Sequence, residues 1–425
     1  MTDRIAERTA VDHFLNARRL SVYPRLMLSV MIVVLSGNVL LGSGWTGAVG
    51  QIIGSDFITL YASGLAWRQD PTDLYDLGDQ AAIQQSLLEP TRLPGLNPYI
   101  SPPYVAMAYS GLTHLPLVAA FAFWQVLTIG AVIGSAGMLA HRIAASEAGR
   151  RGPGRAQLTV LTLSCFGFIE GFVVGQNHGL TLLLVTSAVV LCLRDRDLLA
   201  GLCAGLLIYK PQYAAGLLLV WLLWGRYRSL LGFAATAGMW LGWSLLVGGI
   251  EPLVTYVALG DQLLGLPYTA GFPAHLLVTP YGLLATVLGE SWMGATWLLT
   301  RMWAVVITCG LGAAAWRSRR GGMDRRSRIL AAALLYPLVA SPYTLLHDLV
   351  LLVPVFVLLS GNRASDRALT YLAAASYVGM LVLTLMGQVA GIALVALIPS
   401  TIVALQLRRI WQGPDPEGTP TVSVG

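Results

Sequence analysis

The chain contains a single lysine. Lys210 stands inside the apolar run LLIYKPQYAAGLLLV, Leu206 to Val220, while the other 26 of the 27 basic residues are arginines. Ionisable residues inside apolar segments are expensive and mark functional sites by default. Five further places raise the same question: Asp56 in GSDFITLY, Glu170, the word GQNHG from Gly175 to Gly179, Arg301, and the pair His347-Asp348. Carboxylates, imidazoles and isolated cations are the types that carry proton transfer and the stabilisation of developing negative charge. Each also has a purely structural reading. Lys210 can snorkel with its head among lipid headgroups, and Arg301 can anchor a helix at the interface. Asp56 and the His347-Asp348 pair can cap helix starts, Glu170 can be a buried hydrogen-bonded acid, and GQNHG can be a polar connection.

The elements that must position these groups follow from composition. The chain is 56% hydrophobic and 11% charged, with a mean hydropathy of +0.67, outside the balance of a soluble domain. Apolar segments of the ~17 to 25 residues needed to cross a bilayer recur from Leu26 to Leu407, so an all-α polytopic membrane protein is expected rather than a barrel. Cys165, Cys192, Cys203 and Cys309 fall in apolar segments without CxxC spacing, which suggests neither a disulfide framework nor a zinc site. No metal and no other cofactor is expected. The net charge of +6 reflects arginines that alternate with the apolar segments. That is the signature of topology, and no nucleic-acid partner is implied.

Assigning the arginine clusters to the cytoplasm fixes the orientation. Residues 1–25 form a cytoplasmic lead-in and 411–425 a disordered cytoplasmic tail, leaving 26–410 as the membrane domain. Spans are expected at about 26–44, 117–140, 157–174, 179–193, 229–248, 294–316, 368–386 and 389–407. A long first outer loop, 45–116, carries Asp56, Asp70, Asp73, Asp76, Asp79 and Glu89 against only Arg68 and Arg92. Two segments bounded on both sides by arginines are too short to cross twice, because helices of about 12 to 14 residues climb only about 18 to 21 Å. They read as hairpins broken at Lys210-Pro211 and at Ser341-Pro342, where proline removes a donor and disfavours helix before it. About twelve transmembrane or half-membrane helices result. Broken helices at membrane depth imply a cavity, so the polar groups at both apices are expected to share one outward-facing site.

Five words in order, DFITLYASGLAWRQDPTDLYD (56–76), SPPYVAMAYSGLTHLP (101–116), GQNHGLTLLLV (175–185), AGLCAGLLIYKPQ (200–212) and SPYTLLHDLVLLVP (341–354), resemble the GT-C superfamily of glycosyltransferases, specifically family 87, the mannosyltransferase-like group. The resemblance covers about residues 26–359. It implies a sugar donor on a polyprenyl phosphate, reached from the lipid, and a glycolipid or polysaccharide acceptor at the outer or periplasmic face of a bacterial inner membrane, while the arginine clusters place both termini in the cytoplasm. It implies an acidic base in the first outer loop, which maps onto Asp56. The two-acid motif of some relatives is missing, since the next acid is Asp70.

With Asp56 as base, glycosyl transfer from a lipid phosphate also needs cationic support for the departing phosphate, so Lys210 and Arg301 are the candidate clamp for the donor phosphate and His347 joins Asp56 as a candidate catalytic residue. A compact ammonium suits a phosphate as a point charge. Tyr61, Arg68, Gln176, Asn177, His178, Gln212 and Asp348 are the candidate substrate-binding residues. Trp67, Tyr75, Tyr99 and Tyr104 are further surfaces on which a sugar ring can stack, and belong equally to an aromatic interface belt. Arabinofuranosyl transfer and a transporter of polar solutes or lipid-linked sugars are the alternatives. Broken helices around isolated charges also occur in transporters.

Overall fold

The computed structural model describes residues 17–92, 95–144, 153–260, 262–269, 271–360 and 367–411. The expected lead-in before residue 17 and the tail after 411 lie outside the described residues. Helices run in the order α1 (Ala17–Leu40), α2 (Ser55–Gln69), α3 (Leu77–Leu88), α4 (Pro103–Ser110), α5 (Leu117–Ala144), α6 (Arg155–Leu163), α7 (Phe166–Val174), α8 (His178–Leu193) and α9 (Asp197–Gly205). They continue as α10 (Gln212–Trp224), α11 (Tyr227–Gly248), α12 (Glu251–Ala258), α13 (Pro280–Leu288), α14 (Met293–Ser318), α15 (Met323–Ala340), α16 (Leu352–Ser360), α17 (Arg367–Ala390) and α18 (Leu397–Trp411). Short 3-10 turns link several of them, and the described residues contain isolated bridges but no strand.

Among the described residues five stretches are long and apolar enough to cross a membrane: 21–40, 117–143, 227–248, 290–318 and 369–390. Their large apolar side chains are outward and bare, as with Leu298, Met302, Val305 and Val306 on α14, which fits a multi-pass membrane protein whose surface is solvated by lipid. The expected span at 157–174 is not straight. α6 and α7 meet at 64°, because the helix stops at Ser164 and restarts after the extended Cys165. Nor does 389–407 form one helix: Gly391 turns the chain at a φ of 70°, and a 3-10 turn at Leu394–Ala396 precedes α18.

Both hairpins break where proline predicts. α9 tightens into a 3-10 turn over Leu206–Tyr209, and Lys210 leaves helical geometry at φ −138°, ψ 78° before Pro211 starts α10. At the base of that hairpin Arg226 pairs with both Asp195 and Asp197, closing its ends around α11. α15 stops at Ser341, and a 3-10 turn at Leu346–Leu351 runs into α16.

Residues 45–116 are folded rather than looped out. α2, α3 and α4 enclose a core of Phe57, Tyr61, Trp67, Leu74, Tyr75, Tyr99, Tyr104 and Tyr109. The phenols of Tyr61, Tyr75, Tyr99 and Tyr104 donate to the carbonyls of Leu115, Ser101, Pro102 and Ile208. Burial raises the Tyr75 and Tyr99 phenols far above their ordinary pKa, so they remain donors throughout. The bond from Tyr104 to Ile208 ties this small subdomain to the apex that carries Lys210.

Candidate active site

Asp56 sits in the first turn of α2, after Gly54, whose φ of 72° is a left-handed conformation that glycine adopts freely. The Gly54 amide donates to the carbonyl of Val173 at 2.9 Å, which pins the start of α2 to the end of α7. Asp56 does not cap its helix. Its Oδ1 accepts from Asn97 Nδ2 at 2.9 Å and its Oδ2 from Gln176 Nε2 at 2.7 Å, so the carboxylate is held on both sides by amides from distant parts of the chain.

Asn97 is fixed in turn. Its carbonyl accepts from the Thr59 hydroxyl at 3.0 Å and from Gln84 Nε2 at 2.8 Å. Asn97 is not conspicuous in the sequence, although a polar residue before proline is held extended and the buried Gln80 and Gln84, four apart on α3, mark a polar seam whose second member, Gln84, meets it.

Gln176 is placed by a helix stop. α7 ends in a Schellman arrangement: the Gln176 amide bonds the Gly171 carbonyl at 2.8 Å and the Gly175 amide bonds that of Phe172 at 3.3 Å. Gly175 lies at a φ of 76°, and a Cβ there would stand 2.6 Å from Phe57 Cβ. Only glycine lets α7 approach α2 so closely. The side chain of Gln176 then spans the gap to the hairpin apex, where its Oε1 lies 3.4 Å from Lys210 Nζ.

Lys210 does not point into lipid. Its Nζ is also 3.9 Å from Asp348 Oδ1 and 5.8 Å from the centre of the Tyr213 ring. Asp348 is 2% exposed. Its Oδ2 accepts from the Leu345 amide at 3.0 Å, which caps the 3-10 turn, while Oδ1 faces the lysine and, at 3.6 Å, His347 Nε2. His347 Nδ1 lies 3.1 Å from Glu170 Oε2. Polar neighbours thus run Asn97, Asp56, Gln176, Lys210, Asp348, His347, Glu170, joined by hydrogen bonds at both ends and at Asp348 by ion-pair contacts of 3.9 and 3.6 Å, beyond hydrogen-bond distance.

The remaining expected residues divide. His178 is buried against the edge of Phe168, with ring centres 4.9 Å apart, and its centre is 6.3 Å from that of His347. Among the described residues neither of its ring nitrogens has a hydrogen-bond partner, and nor does Asn177 Oδ1. The Asn177 amide instead donates to Gln176 Oε1 at 3.2 Å. Gln212 is half-buried at the start of α10, and among the described residues it makes no hydrogen bond to the series.

Three expected residues lie outside it. Tyr61 is buried, with its phenol given to Leu115, so its ring is core to the subdomain and presents no face for stacking. Trp67, Tyr75, Tyr99 and Tyr104 are likewise core. Arg68 is exposed at the far end of α2, about 18 Å from Asp56 along the helix axis, and bonds the Thr113 hydroxyl at 2.9 Å. Arg301 is exposed on α14 with its guanidinium 4.7 Å over Trp297, and no ion pair joins it to the Lys210 group among the described residues. The single lysine is the cation at the centre.

Beside the series lies a cavity of about 550 Å³. Its walls are apolar, from α1 (Met31, Val34, Leu35) and α7 (Phe166, Ile169, Val173), while Ser55, Asn97 and Glu170 bring polar groups to its inner side. A chamber walled by a lipid-facing helix and ending next to the half-buried Glu170 suits a molecule with an apolar chain and a polar head. No group of three or more His, Cys, Asp or Glu side chains among the described residues is arranged to hold a metal ion.

A multi-pass helical protein with an amide-clamped carboxylate, a half-buried ammonium and an apolar chamber beside them has the parts of a membrane-embedded group-transfer enzyme. The model of glycosyltransferase family 87 matches residues 99–342, more than half of the 425 residues, and the chain belongs to that family. Membership agrees with the GT-C resemblance and makes the protein a membrane glycosyltransferase. The matched region contains Glu170, Gln176, His178, Lys210 and Arg301, and stops short of Asp56 on one side and His347-Asp348 on the other. No curated protein and no solved structure matches the chain.

Proposed function

We propose that the protein transfers a sugar, mannose, from a polyprenyl-phosphate donor to a lipid or polysaccharide acceptor at the outer face of a bacterial inner membrane, with Asp56 as general base. The observation that carries this reading is the Gln176 bridge: one side chain donates to Asp56 at 2.7 Å and lies 3.4 Å from Lys210, joining a base to a cation.

Asp56 retains lone pairs on both oxygens after its two amide bonds, so it can accept the proton of an acceptor hydroxyl. The hydroxyl oxygen then bonds the anomeric carbon as the carbon–oxygen bond to phosphate breaks, and the departing phosphate keeps the electron pair. One displacement inverts configuration, so a β-linked donor gives an α-linked product. The Lys210 ammonium stands at 3.4 and 3.9 Å from its two neighbours, with donors left to support that phosphate. Such a preorganised cation ranks among the larger catalytic contributions. The chamber lined by α1 and α7 supports a substrate that enters from lipid. The arginine clusters support cytoplasmic termini.

The test is transfer by purified protein in nanodiscs supplied with radiolabelled polyprenyl-phosphate-mannose and a membrane lipid extract. Wild type should transfer and Asp56→Asn should not, by a factor of about 10² to 10⁴, while still binding donor. Equal turnover in Asp56→Asn would remove it from the role. Transfer from polyprenyl-phosphate-arabinose alone would change the sugar.

A further inference from the structure

The Gln176 bridge leaves Glu170 without a part in the reaction, yet Glu170 is the acid that touches both the cavity and the polar series. It lines the chamber beside Phe166, Ile169 and Val173, and its Oε2 lies 3.1 Å from His347 Nδ1, its one hydrogen bond among the described residues. It is 20% exposed against 1% for His347, so the exposed part of this pair is the carboxylate, on the cavity side.

The backbones behind the pair leave no slack. A Cβ at Gly167 would stand 2.6 Å from the Leu346 carbonyl, and one at Gly171 would stand 2.7 Å from His347 Cβ and 2.6 Å from His178 Nδ1. α7 is therefore seated directly on the turn that carries His347. Glu170 projects from it at a fixed distance.

We infer that Glu170 is a positioning residue that couples filling of the apolar cavity to the state of His347. With water in the chamber, the carboxylate shares its hydrogen bonds between solvent and imidazole. An apolar chain in the chamber removes that solvent, and in the lower dielectric the remaining bond strengthens. His347 Nδ1 then keeps its proton toward Glu170, and Nε2 is held toward Asp348. The charged and titratable groups facing His347 are Glu170 from α7, His178 from α8, Lys210 from the hairpin apex and its neighbour Asp348, so a change at Glu170 is felt by the group around the lysine. The inference rests on the reading that a lipid-borne substrate fills the chamber.

The readout needs no sugar transfer. Protein labelled with ¹⁵N-histidine in detergent, with the His347 signal assigned by its loss in His347→Gln, is titrated with geranylgeraniol, a neutral prenyl alcohol. In wild type the Nδ1 proton of His347 should exchange with water about tenfold more slowly once the alcohol is bound, the scale of one hydrogen bond to a charged group. Glu170→Leu should abolish the response, and Glu170→Gln, which keeps an acceptor, should restore part of it. Val34→Trp, which fills the chamber from α1, should slow the exchange without any alcohol. A His347 signal that responds equally in Glu170→Leu and wild type, or that ignores both the alcohol and Val34→Trp, overturns the inference. Sugar transfer can succeed or fail independently of either result.

Discussion

Gln176 and Asp56 are 120 residues apart and joined by a 2.7 Å hydrogen bond. The amide thereby fixes where the carboxylate points, and its own oxygen is turned toward Lys210. An amide that faces both an anion and a cation must present its nitrogen to one and its oxygen to the other, so the bridge has only one orientation.

Replacing that bridge should therefore damage chemistry more than folding. Gln176→Leu is expected to lower kcat by about 10²-fold, the cost of a misplaced catalytic group, with little change in thermal unfolding. Gln176→Glu should be worse, because it sets a carboxylate beside Asp56. Steady-state kinetics with a melting curve for each variant check this, and equal kcat in Gln176→Leu and wild type would deny the bridge its role.

The second clamp predicts a graded effect. Asn97→Ala removes the bond to Asp56 Oδ1, while the Asn97 carbonyl still accepts from Thr59 and Gln84. The subdomain should persist and kcat should fall about tenfold. Single-turnover transfer with saturating donor separates this from weakened binding.

Lys210 pairs with the buried Asp348, and removing the lysine leaves the carboxylate as an uncompensated buried charge. Lys210→Met should cost about 2 kcal/mol of stability, and Lys210→Met with Asp348→Asn should regain most of it. Neither should recover turnover, since no cation then faces the phosphate. A double variant that transfers sugar at the wild-type rate would reduce Lys210 to a structural partner.

Tyr61 offers the opposite contrast. Its phenol bonds the Leu115 carbonyl at 2.7 Å, so Tyr61→Phe should cost about 1 kcal/mol of stability and leave KM for either substrate unchanged. A raised acceptor KM without loss of stability would return Tyr61 to the substrate.

Gly175→Ala combines two penalties, a left-handed backbone worth about 1 to 2 kcal/mol and a Cβ only 2.6 Å from that of Phe57. It should lower both the melting temperature and kcat, because relief of the clash displaces Gln176. Gly260→Ala, where φ is not left-handed and the nearest atom is a carbonyl oxygen at 3.1 Å, serves as the control and should change kcat little.

Much of this protein is local and was legible in its residues. Hydropathy marks the long helices because lipid demands apolar surface over a fixed length, and proline at 211 and 342 ends helices because it removes a donor and restricts its predecessor. Asp56, Lys210 and His347-Asp348 are conspicuous because charge in an apolar segment is costly. Pairing was not legible. Which tyrosines bury their rings, why Arg68 and Arg301 stand apart, that α6 and α7 meet at an angle, that Asn97 joins the polar series and that Glu170 faces His347 all depend on contacts between residues far apart in the chain. Hydrogen bonds of about 3 Å are decided by how closely two helices approach, which glycines at 171 and 175 permit and periodicity does not record. Residue types fix most of the long helices and make each charge in an apolar segment costly, while long-range packing settles which partner offsets that cost, because a side chain reaches only what the backbone packing brings within a few ångströms.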